Sequence, residues 1–196
     1  MLQLRKHAAF MILCCAGLTP AFGQTGSGVS LTDDDRAIIA LALSETAMAA
    51  SVLVDSTAPV CSKDAGTFCI DESHLTGDKA MWDFPDGALL RRGLVVRNAT
   101  SANIGSLDSQ LARVSRERIN MMFRPGRYGW RELQQAYPGI RHLVKVSAPA
   151  YSPDGSWALI YVESLCNGRC GGGALLLFER QSGTWKLSRH IINWIG

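Results

Sequence analysis

The sequence predicts an α+β domain in which N-terminal helices pack on one face of a C-terminal antiparallel β-meander of about four strands. Three observations carry that reading. Residues 31–56 place apolar side chains at helical spacing behind an acidic first turn. Residues 142–195 repeat a strand–turn–strand rhythm with Pro and Gly in the turns. The 173 residues from Gln24 to Gly196, left if a leader is cleaved after Gly23, suit a single domain, here residues 31–196, with a sizeable core.

Taken in order, "SLTDDDRAIIALALSETAMAASVLVDS" predicts one long helix. Thr32 is a good N-cap, and Asp33, Asp34 and Asp35 favour the positive end of the helix dipole. Ile38, Leu41, Ala42, Glu45, Met48, Ala49 and Val52 form its mostly apolar face. Asp55 to Phe84 is loop-like, broken by Pro59, Gly66 and Gly77. "FPDGALLRRGLVVRN" predicts a helix with Leu90 and Leu94 inward, and Asn98-Ala99-Thr100 fits a glycosylation sequon. "QLARVS" suggests a strand, "RERINMMF" a short helix, and "YGWRELQQAYPG" another that stops at Pro138-Gly139. "HLVKVSAPAY", "SWALIYVES", "ALLLFER" and "WKLSRHIINWI" are the meander strands, in a sheet with one wet side.

The first residues set the compartment. Arg5 and Lys6, an apolar run from Ala8 to Leu18 and the small-x-small ending Ala21-Phe22-Gly23 have the layout of a cleaved secretory signal over residues 1–23. A lead of residues 24–30 follows, rich in Gly and Ser and read as flexible. The apolar run is too short to span a bilayer, which takes about 20 residues, so no transmembrane anchor is expected after cleavage. Periplasmic or secreted placement follows, with Cys14 and Cys15 lost alongside the signal. The 20 basic residues fall to 18 once Arg5 and Lys6 leave, against 17 acidic, so the mature chain is nearly neutral. Nucleic acid is not an expected partner. Arg113, Arg116, Arg118, Arg124, Arg127 and Arg131 form the nearest basic cluster, read as a solvated face, with an anionic partner as the alternative.

Cys61, Cys69, Cys166 and Cys170 remain. In an exported chain an even count suggests disulfides before zinc or a thiol nucleophile. Four cysteines permit three pairings, and the local one is simplest, with Cys166–Cys170 closing the turn Asn167-Gly168-Arg169. A zinc site would need Cys166 and Cys170 joined by two of Cys61, Cys69, His74, His142 or His190.

"GWRELQQAYPG", "VSAPAYSPDGSWALIYVES", "CNGRCGGGALLLFER" and "SGTWKLSRHIINWIG" together resemble a pattern found in uncharacterised bacterial proteins, many of them exported. "LLRRGLVVRN" matches the helix that usually comes earlier in that pattern. The likeness spans Leu89 to Gly196, departs at Gly196 and at the cysteine pair, and implies the fold but no activity.

The functional expectation is an exported, non-catalytic envelope protein: a binding module for an envelope or secreted protein, or for a small ligand. Trp157, Tyr161 and Trp185 are candidates to line its binding surface, though their strand spacing better suits a core. The alternative is a hydrolase-type, metal-dependent or redox enzyme using the Cys and His residues. Asp71, Glu72 and His74 are its nearest acid/base cluster, and no Gly-x-Ser-x-Gly is present. No cofactor is expected.

Overall fold

The start of helix α1 (Asp33–Thr46) follows from the chemistry of Thr32 and Asp35. The Thr32 hydroxyl accepts from the Asp35 N–H at 3.1 Å, and the Asp35 carboxylate accepts from the Thr32 N–H at 2.8 Å. This reciprocal box satisfies two of the donors that a helix start leaves open. Asp35 is fully buried and also receives hydrogen bonds from Arg97 at 2.8 Å and the Tyr151 hydroxyl at 2.9 Å. Capping therefore accounts for only part of the acidic triplet, because Asp35 also ties α1 to distant elements. The structure is a computed structural model that describes residues 30–46, 49–63, 68–76, 83–107, 109 and 111–196. The signal segment 1–23, nearly all of the lead 24–30 and Met48 lie outside the described residues.

The helix ends well before Ser56. Ala50 adopts a positive φ of 61°, and Ser51-Val52-Leu53-Val54 then forms strand β1 (Ser51–Val54), buried throughout. Three consecutive stiff or bulky apolar residues suit a strand covered on both faces better than a helix with one wet side. β1 pairs in parallel with β2 (Ala112–Val114) and β3 (His142–Val146).

The sheet is mixed, with seven strands rather than about four. Its order is β2-β1-β3-β5-β6-β7, with β4 (Ala150–Tyr151) pairing only with β5. β3, β5 (Trp157–Cys166), β6 (Gly172–Gln181) and β7 (Thr184–Ile195) are the antiparallel meander. The turn from β6 to β7 places both Ser182 (φ 51°) and Gly183 (φ 81°) in the left-handed region, the conformation that two-residue hairpins require.

Helices cover both faces of the sheet, and they are interleaved with the strands rather than gathered at the N-terminus. On one face Ile38, Ile39, Ala42 and Leu43 of α1 pack over Val144, Ile160, Leu176 and Phe178. On the other, α2 (Glu72–Thr76) and α3 (Gly87–Arg97) bring Leu75, Leu90 and Leu94 over Leu159, Tyr161, Leu175 and Leu177. Beside them, α4 (Arg116–Met122) and α5 (Gly129–Ala136) place Ile119, Met122 and Leu133 over Val52, Val54 and Leu143. Each fully buried Leu or Ile contributes about 1.5–3 kcal/mol. The sheet thus has two dry faces over most of its width, not one.

Asn98 caps the end of α3 and is fully buried. Its amide donates to the Leu94 and Ala148 carbonyls at 2.8 and 3.0 Å, and its oxygen accepts from the Ala148 N–H at 2.7 Å. The sequon asparagine is thus a buried structural clasp, with no room in the fold for a glycan.

Candidate functional site

Strand and helix lengths create the site. α1 has 14 residues, about 21 Å of helix, whereas β5 has 10 residues and β7 has 12, about 33 and 40 Å of strand. α1 therefore runs out before the strands do. Beyond Thr46 the ends of β3, β5, β6 and β7 are left with an open groove of about 430 Å³. That is within the usual range for small-molecule sites, roughly 300–1,000 Å³.

Val144, Val162, Ala174 and Ile192 supply the apolar lining. Cross-strand register explains their meeting, since Val162 pairs with Ala174 and Ala174 pairs with Ile192. Ile192 is 62% exposed, a large apolar side chain turned to solvent beside other apolar groups. Polar groups stand among them: Glu45 and Thr46 from the last turn of α1, His190 from β7 and Arg169 from the β5–β6 turn. Ser164, also lining the groove, is nearly buried and its hydroxyl lies 3.3 Å from His142 Nδ1.

The β5–β6 turn closes one end. Cys166 and Cys170 are disulfide-bonded with their α-carbons 5.7 Å apart, and Cys170 and Arg169 both line the groove. The staple fixes that wall to the sheet ends. Cys61 and Cys69 form the second bridge, Cα–Cα 4.8 Å. Lys145 anchors that loop from beneath, donating to the Cys69 carbonyl at 3.0 Å while paired with Glu163 at 3.0 Å. Both members of that ion pair are nearly fully buried, so neither exchanges freely with solvent. Among the described residues all four cysteines are in bridges, and none of them carries a free thiolate for metal binding or redox attack. Among the described residues, no group of three or more His, Cys, Asp and Glu side chains is placed to hold a metal ion.

On the opposite face a polar cluster locks the sheet end, joined to the groove by Trp194, which also lines it. Trp194 Nε1 donates to the Tyr161 hydroxyl at 2.7 Å, and His74 Nδ1 lies 3.3 Å from that same oxygen. The His74 ring stacks on Trp194 with centroids 5.6 Å apart. Burial, with Glu163 nearby, pushes the Tyr161 phenol well above its ordinary pKa, so it remains a neutral hydroxyl. Asp71 caps α2 through the Ser73 hydroxyl and N–H, which hold its carboxyl below the usual range. Asp71, Glu72 and His74 therefore do not converge as an acid/base set: the first is a cap, Glu72 is exposed and His74 packs against the aromatics.

The three aromatics proposed as a binding surface do not share one. Tyr161 is fully buried beneath α2 and α3, and Trp157 is half-buried against the same cluster. Trp185 is nearly buried on the opposite face, under α1. The register shows why: Trp157 pairs with Glu179 and Trp185 with Arg180, adjacent residues that point to opposite faces. Core packing accounts for all three. The groove's own residues were signalled differently, by small side chains at Gly171, Gly172, Gly173 and Ala174 and by isoleucines near the chain end.

Comparison of the chain with protein-family models, with curated protein sequences and with solved structures gave no match.

Proposed function

We propose that this protein is an exported, non-catalytic binding module that holds the apolar part of a small ligand in the groove beyond α1. The observation that carries the reading is the groove itself: an apolar lining, a few polar groups around it and a disulfide-fixed wall. Such a surface is costly to leave wet and is the usual mark of a binding site. Export is supported by the signal-like first 23 residues and by the two bridges, which suit an oxidising compartment. Among the described residues no helix is long and apolar enough to cross a membrane. The motifs from Leu89 to Gly196 add support through their resemblance to a group of bacterial proteins, many of them exported.

Fluorescence titration of the purified, oxidised chain with 1-anilinonaphthalene-8-sulfonate tests the reading. One saturable site with a dissociation constant in the micromolar range supports it. A linear, unsaturable signal contradicts it. The enzyme alternative draws on Ser164, which lines the groove, with His142 3.3 Å from its hydroxyl, and steady turnover of an ester probe that stops in Ser164→Ala would favour it instead.

A further inference from the structure

The connection between α4 and α5 is built as a rigid, basic tip. Six arginines fall within residues 113–131, nearly a third of the chain's 20 basic residues, and Glu117 is the single acidic residue among them. The turn apex is Pro125-Gly126, with Gly126 at φ 83°. Phe123 folds inward beneath it. Its ring stands edge-on to Trp130 at 5.5 Å and lies so close to Gly129 that a β-carbon there would sit 2.5 Å from ring atoms. The apolar ends of the loop are thereby tucked under, and what remains outside is held in place.

Outside are Arg124, Arg127, Arg131, Met121 and Tyr128, all exposed. Met121 is 50% exposed and Tyr128 is 72% exposed, so the tip offers two large apolar groups as well as charge. Arg131 stacks on Tyr128 at 5.0 Å. Arg127 meets Glu132 at 2.9 Å, but more than half of the Arg127 side chain is exposed, so the pair is weak and exchangeable. Arg118 lies over Tyr137 at 5.6 Å, toward the other end of α5.

We propose that this tip docks on anionic lipid membranes, with Arg124, Arg127 and Arg131 meeting the headgroups and Met121 and Tyr128 entering the interface. A solvated face would explain the charge but not the two large side chains, Met121 and Tyr128, exposed between arginines along the segment. A soluble polyanion would need the charge alone. Arginines flanking an exposed aromatic and a methionine match the two layers of a bilayer surface, charged phosphate above and acyl carbon beneath. The surface is separate from the groove, and it would bring the module to a membrane without any spanning segment.

The test is co-sedimentation of the purified chain with vesicles of phosphatidylcholine alone, or with about one-third phosphatidylglycerol. Binding to the anionic vesicles only, weakened by salt, is expected. Each arginine near such a surface contributes roughly fivefold, so Arg124→Gln with Arg127→Gln and Arg131→Gln should lower binding at least tenfold. Tyr128→Ser should lower it severalfold; as an exposed side chain, it can be changed without disturbing the core. Absence of binding to anionic vesicles, or equal binding to neutral ones, overturns the proposal. So does loss with the arginine variants but not with Tyr128→Ser, which would show adsorption by charge alone, without entry of the ring into the interface.

Discussion

The Trp194 indole donates to the Tyr161 hydroxyl directly over the α-carbon of Gly173, with no space for any side chain between them. A β-carbon at Gly173 would lie 2.2 Å from the Tyr161 oxygen and 2.3 Å from Trp194 Nε1. The third glycine of the run after the disulfide turn is therefore a packing requirement of the opposite face. Gly173→Ala should separate the two rings and lower stability by about 2–3 kcal/mol, read by urea unfolding. An unchanged midpoint would show that the aromatic pair relaxes freely.

Asp35 joins a helix cap, a guanidinium and a phenol in one buried carboxylate. Asp35→Ala should remove the capping box and leave Arg97 and the Tyr151 hydroxyl without their acceptor, costing about 3 kcal/mol. Asp33→Ala, at an exposed position in the same turn, should cost less than about 0.5 kcal/mol by the same measurement. Equal losses would mean that the triplet acts only through the helix dipole.

Asp154 supplies a pH-dependent increment. Hydrogen bonds from the Ser152 hydroxyl, and from the Ser156 N–H and hydroxyl, hold its carboxyl down at about 2, against 3.8 unperturbed. A depressed folded-state value means the contribution is complete above about pH 4 and is lost as pH falls toward 2. Asp154→Asn should thus be less stable than the parent at pH 6, with the gap closing by pH 2. A gap that stays constant across that range would show that these bonds do not depend on the charge.

Ala174→Phe should stand a ring in the groove and weaken binding of an apolar probe at least tenfold. Ala174 sits at the groove lining rather than deep in the core, so the thermal midpoint should fall by no more than a few degrees. Titration and melting of the same sample separate the two effects. Retained affinity would place the probe elsewhere.

The elements that were legible from residue patterns were those whose reasons are local. The hairpin glycines, the stop at Pro138-Gly139 and the inward Leu90 and Leu94 of α3 all depend on neighbours a few positions away. What was hidden depends on partners distant in the chain. Ser51-Val52-Leu53-Val54 continues the helical spacing of α1, and only its parallel pairing with residues 112–114 and 142–144 makes it a strand. A helix carried on to Ser56 would have lain over the sheet ends where the groove opens, so the groove depends on that same distant pairing. For Trp157, Tyr161 and Trp185 the strand spacing favours core packing over a binding surface, but alternation marks a face of a strand without revealing which face is covered. With helices on both faces, Tyr161 and Trp185 are core and Trp157 packs half-buried against it.

The most direct measurement is an amide chemical-shift map of the isotopically labelled, oxidised chain titrated with nonanoic acid. Saturable shifts centred on Val144, Val162, Ala174 and Ile192 are expected, with smaller ones at Arg169 and His190. Shifts confined to other surfaces, or none at millimolar ligand, would contradict the claim that the groove beyond α1 is a binding site.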